Sequence, residues 1–103
     1  MKIIFNRFIP FKGFYAINLF GILFVRGQKR PISQSILRHE QIHSAQIKEL
    51  GYLLFYILYF IEWLIRLLGR GNAYRRISFE IEAYTHQHDP NYLKKRKRFA
   101  QWR

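Results

Sequence analysis

The 103-residue sequence predicts an α+β fold, an N-terminal β-hairpin followed by three helices. Three observations carry this. Residues 2 to 26 hold two runs of aromatic and β-branched side chains separated by turn residues. Residues 33 to 50 repeat apolar and histidine positions at helical spacing. Residues 51 to 88 contain a long apolar stretch and a shorter patterned one, parted by "GRGNAYRR". A chain of this length has room for one core, and half of its residues are apolar, enough to fill it.

In the hairpin, Ile3, Ile4, Phe5, Phe8 and Ile9 form the first run, and "PFKG", with Pro10 and Gly13, marks the turn. Phe14 to Val25 forms the second run, with Gly21 as a bulge. The basic loop 26–31 ends at Pro31, and Ser33 or Ser35 can cap the first helix. In that helix positions 36, 39, 43, 47 and 50 share one face, which turns His39 and His43 inward beside Ile36, Ile47 and Leu50.

Residues 52 to 68 are apolar nearly all round, interrupted by Glu62 and Arg66 in the favourable i,i+4 order. Such a helix is either the buried centre of a domain or a membrane segment. With 17 residues at the lower limit for crossing a bilayer and two charges near its end, the buried reading is preferred. A third helix is expected from Ile77 to His88, stopped by Asp89-Pro90. The expected organisation is a metal-binding domain over residues 1–90 and a basic C-terminal tail over 91–103.

Cysteine is absent, which excludes disulfides and thiolate metal sites, so any metal must be held by imidazole and carboxylate. Eighteen Lys and Arg oppose six acids, a formal charge of +12 that favours anionic partners. No convincing signal peptide opens the chain, and a cytoplasmic or membrane-associated location is expected. The tail from Lys94 to Arg98 reads as a solvated terminus; among anionic partners a membrane surface is preferred to nucleic acid because the apolar helix is near.

The chemistry sits in His39-Glu40-Gln41-Ile42-His43. Imidazoles at i and i+4 lie one above the other and can reach one ion, while Glu40, rotated by about 100°, is placed to act on a metal-bound water. A third ligand must come from elsewhere, and "SFEIEAYTH" offers Glu80 and Glu82 on opposite sides of a helix, a choice that periodicity leaves open. Tyr84, His86 and His88 are candidate oxyanion helpers. Gln46 could support a ligand histidine, although a surface glutamine is the simpler reading.

"HEQIH" followed by "FEIEAY" resembles the gluzincin-type zinc metallopeptidases, especially those with an ExxA helix such as the integral-membrane CAAX prenyl proteases. That resemblance implies a minimal zincin-like domain with zinc (Zn2+) on His39, His43 and Glu80, Glu40 as the base, and peptide or protein substrates. With Ala83 as the motif alanine, the matching ligand is Glu80; a thermolysin-like pattern would select Glu82 instead. Tyr84 stands where the protease pattern usually has aspartate. The order of elements also resembles short bacterial proteins of about this length with no assigned activity. The expected function is zinc-dependent peptide hydrolysis, with the N-terminal strand edge holding the peptide. The rival expectation is a non-enzymatic protein whose zinc ties helices together and whose basic surface binds membrane or nucleic acid.

Overall fold

The computed structural model describes residues 2–9, 14–28 and 30–102. Its sheet has three strands, β1 (Lys2–Asn6), β2 (Ala16–Leu19) and β3 (Ile22–Arg26), in the order β1-β3-β2. The hairpin joins β2 to β3, which are antiparallel, while β1 runs parallel to β3 on its other side. This corrects the expected hairpin between the first apolar run and the second: the first run does pair with the end of the second, but in parallel. The twelve residues from Phe14 to Val25 exceed a usual strand of five or six, and the run folds on itself. Gly21 is therefore a turn residue and not a bulge. Phe20 and Gly21 both have positive φ, 55° and 89°, as a two-residue type I′ turn requires. Phe20 is held in this unfavourable region from outside: its N–H donates to Tyr56 Oη at 2.7 Å, and its ring packs against Tyr56 and Tyr52. The expected turn at Pro10–Gly13 lies outside the described residues.

Helix α1 (Gln34–Glu49) starts after Ser33, whose side chain makes no capping bond. Its inner face carries His39, Ile42, His43, Gln46 and Ile47, all buried. Ile36, expected on that face, is exposed instead. The face is set by Ile42 and Gln46, which follow the i+3 and i+7 spacings from His39. Asn18 of β2 fixes the sheet to this helix, its amide nitrogen donating to the Glu40 carbonyl at 3.0 Å and to Ser44 Oγ at 3.1 Å.

Helix α2 (Leu53–Leu67) follows a tight turn through Gly51 and Tyr52 and runs at 111° to α1. It is not the buried centre of the domain. Phe55 alone is buried, packed with Ile47, Ile77 and Phe79, while Leu54, Ile57, Phe60, Ile61 and Leu64 are exposed. The β2–β3 hairpin, α1 and the segment after α2 lie against it, and these cover one side. No single helix among the described residues is long and apolar enough to cross a membrane.

A 3₁₀ turn at Tyr74–Arg76 leads to α3 (Ser78–His86), which is shorter than the expected 77–88. Glu62 of α2 serves the start of α3: its two carboxylate oxygens accept from the Ser78 N–H at 2.5 Å and the Ser78 hydroxyl at 2.7 Å. Glu62 thus satisfies donors at the positive end of a helix, and its pairing with Arg66, at 3.7 Å, is secondary.

A fourth, short helix α4 (Tyr92–Lys95) and a 3₁₀ turn at Ala100–Trp102 close the chain. Tyr92 packs with Ile42 and Ala83, and the Trp102 ring meets Phe79 at 5.8 Å. The basic run 94–98 is therefore not solvated throughout. The Arg96 side chain is buried between Glu49 and Glu82.

Candidate metal centre

Helices α1 and α3 bring His39, His43 and Glu80 together in the interior. Glu80 Oε1 lies 3.0 Å from His39 Nε2 and 3.0 Å from His43 Nε2, and the two ring nitrogens are 3.1 Å apart. Glu80, not Glu82, is the carboxylate that meets the histidines.

The tautomers follow from the surrounding amides. Gln46 is fully buried; its amide nitrogen donates to the Phe79 carbonyl at 3.0 Å and to Glu82 Oε1 at 2.9 Å. Its Oε1 is therefore an acceptor, and at 2.8 Å it receives the proton of His43 Nδ1. Gln87 Oε1 stands 2.7 Å from His39 Nδ1 and takes the equivalent proton, with the Gln87 amide nitrogen turned toward His88. Each neutral imidazole then presents an unprotonated Nε2 to the carboxylate. Three lone-pair donors converge, and only a cation or an added proton reconciles them.

A zinc ion with bonds of 2.0–2.1 Å would set tetrahedral ligand separations of about 3.3–3.4 Å. The triangle of 3.0–3.1 Å would need to open by only a few tenths of an ångström. Donor type, count and second-layer partners all suit a metal ion. Without a metal, a proton takes this place. Burial by itself lowers the pKa of His43, but the Glu80 carboxylate outweighs it, with Glu40 and Gln46 adding to its effect, and holds the imidazole up to about 9. In turn Glu80, although burial works against its charge, is kept well below the usual carboxylate range by His43, His39 and Tyr59.

The second oxygen of Glu80 is anchored separately, accepting from the Tyr59 hydroxyl at 2.7 Å. Burial first, and then Glu80, push the Tyr59 hydroxyl far up, so it remains a donor. The His39 ring is positioned by the edge-on ring of Tyr84, 4.4 Å away between centroids.

The triad opens into a cleft of about 760 Å³ between β2, α1, α2 and α3, with Glu40, Asn18, Tyr74 and Tyr84 on its walls. The Glu40 carboxyl has its pKa raised by burial, against the pull of His43 and His39. Strand β2 borders the cleft through Ala16, Ile17 and Asn18, and among the described residues it pairs on one side only.

Of the other expected helpers, Gln46 supports His43 directly. His88 joins one layer further out, its Nδ1 2.9 Å from Ser35 Oγ and its Nε2 3.4 Å from the Gln87 amide nitrogen. His86 is stacked on Tyr92 at 3.8 Å and does not line the cleft. Glu82 faces Gln46, Tyr92 and Arg96. Sequence reasoning missed Gln87 and Tyr59. Gln87 is signalled by its i+7 spacing from Glu80, whereas Tyr59 is hidden among the aromatic residues of α2.

Fold and site together define an α+β protein with a buried His-His-Glu triad able to hold a metal ion. No protein-family model matches the chain, and no curated protein or solved structure matches it.

Proposed function

We propose that the protein is a small zinc-dependent metallopeptidase of the gluzincin type. The observation that carries this reading is the convergence of His39, His43 and Glu80 beside a partly exposed Glu40 in one cleft. Zinc, when bound, supplies Lewis-acid polarisation of a carbonyl and acidification of a water. His39, His43 and Glu80 would hold the ion, and Glu40 would accept a proton from a water and pass it to the leaving amine, a role favoured by its raised pKa. The side of β2 that has no strand partner among the described residues offers backbone donors and acceptors to an extended peptide, which would lie along the cleft as an added strand. The hydroxyls of Tyr74 and Tyr84 on the cleft wall are candidates to stabilise the oxyanion.

Glu40→Gln tests this. Zinc content should stay at one equivalent while peptide hydrolysis falls by about 10²–10⁴-fold, the usual contribution of a general base. Unchanged hydrolysis by Glu40→Gln would refute its assigned role. A wild-type protein that holds zinc but cleaves no member of a peptide library would make the metal a tie between α1 and α3.

Metal binding must also displace the proton of His43. Because that group titrates at about 9, zinc affinity should fall by about tenfold for each pH unit below 9. Calorimetry at pH 7 in buffers of different ionisation enthalpy should show at least one proton released per zinc; no release would contradict His43 as a ligand. The metal-free protein behaves in the opposite sense. The His43–Glu80 pairing contributes fully between about pH 4.5 and 6.5, is lost as pH rises through about 9, and is lost again in acid as pH falls through the depressed pKa of Glu80.

A further inference from the structure

Helix α2 has its polarity reversed. Every residue on its solvent-facing arc is apolar: Leu53, Leu54, Ile57, Phe60, Ile61, Leu64, Ile65 and Leu67, continued by Leu68 at 90% exposure. Its polar residues Tyr56, Tyr59, Glu62 and Arg66 fall on the other side, where Tyr56 meets β2, Tyr59 meets Glu80, and Glu62 caps α3. A helix at a water-facing surface has the opposite arrangement. The exposed arc covers roughly 160°, and Phe20 and Tyr52 extend it toward the hairpin.

We propose that this face docks on an anionic lipid bilayer, with α2 lying in the interface and not crossing it. Helix α2 is about 22 Å long, against a hydrocarbon core of about 30 Å. Charge favours lipid as the occupant. All six carboxylates are engaged: Glu49 and Glu82 with Arg96, Glu62 with Ser78, Glu80 with the histidines, Asp89 with Lys95, and Glu40 in the cleft. The outer surface is thus dominated by positive charge, and the exposed Arg70 follows the apolar helix in the chain. A strongly cationic chain with an exposed apolar helix face matches anionic headgroups above acyl chains. A second copy of a +12 chain would meet the same face with repulsion. Nucleic acid would leave the apolar arc in water.

The docked face and the metal triad are separated by the thickness of one helix, because Tyr59 sits on the reverse side of α2. Docking would therefore place the cleft next to the membrane. The docking rests on the apolar helix face and the charge of the chain, and stands apart from the metal reading.

The test is co-sedimentation of the full chain with vesicles of phosphatidylcholine and phosphatidylglycerol, 1:1. The comparison is a triple variant, Ile57→Gln, Ile61→Gln and Leu64→Gln. These side chains point outward, so far-UV circular dichroism and zinc content should be unchanged, separating failure of docking from failure of the metal site. Wild type should bind, the variant should lose about a hundredfold in partitioning, and pure phosphatidylcholine or 0.5 M salt should weaken wild-type binding by about tenfold or more. Absence of wild-type binding overturns the proposal, as does equal binding by the variant, which would assign the attraction to charge alone. A lipid-free dimer in sedimentation velocity that the triple variant dissolves overturns it in favour of self-association.

Discussion

Glu80→Gln is expected to abolish stoichiometric zinc binding, while Glu82→Gln should leave one equivalent in place. The two residues are neighbours on α3, both buried, and differ only in where the helix points them. Glu80 places one oxygen 3.0 Å from each histidine nitrogen and anchors the other on Tyr59. An amide there removes the negative charge that balances the cation and can present an N–H to the ion. Its cost should exceed the roughly 10–100-fold loss typical of an outer-layer partner. Glu82 acts through Gln46, which orients His43, so its replacement should cost affinity within that outer-layer range and leave stoichiometry unchanged. Metal analysis of protein purified without added zinc, followed by titration against a competing chelator, measures both. If Glu82→Gln alone lost the metal, the ligand would be on the opposite side of α3 and the assigned triad would be wrong.

The difference between these two glutamates also marks how far the sequence was legible. The histidine pair could be read because its geometry is local: residues at i and i+4 on a helix face one way whatever else the chain does. The choice between Glu80 and Glu82 depends on how α3 is rotated about its axis. That rotation is fixed by Ala83 and Tyr92 packing on Ile42 and by Glu62 at the helix start, contacts distant in sequence. The motif resemblance selected Glu80; periodicity could not. The sheet was legible in content but not in pairing, since the parallel pairing of β1 with β3 is non-local and leaves no periodic trace. In α2 the uniformly apolar composition concealed which side faces the protein. The polar residues were the clue, since Tyr59, Glu62 and Arg66 all fall on the inner face.

Arg96→Ala is expected to destabilise the protein by about 3–5 kcal/mol, the usual cost of removing one partner from a buried ion pair. In a basic run of five residues Arg96 looks interchangeable, yet its side chain is only 7% exposed, against 3% for Glu82 and 9% for Glu49. Its Nε donates to Glu82 Oε2 at 2.6 Å, Nη2 to Glu82 Oε1 at 3.1 Å, and Nη1 to Glu49 Oε2 at 3.2 Å, with Gln101 Oε1 accepting from Nη2 at 2.8 Å. Alanine would leave two buried carboxylates without a counter-charge. For a domain of this size the loss corresponds to a fall in Tm of more than about 10 °C, measurable by thermal denaturation. Arg96→Lys should recover part of it, because an ammonium supplies charge but cannot fork between two carboxylates. Burial opposes the charge of Glu82, but Arg96, Gln46 and Tyr92 together hold its pKa below the ordinary value. Its share of the stability is therefore present above pH 4.5 and is lost as pH falls through the depressed pKa, so the gap between wild type and Arg96→Ala should narrow on acidification. A loss below about 1 kcal/mol near neutral pH would mean that the pair behaves as a surface salt bridge. The C-terminal segment would then be only loosely fastened to α1 and α3.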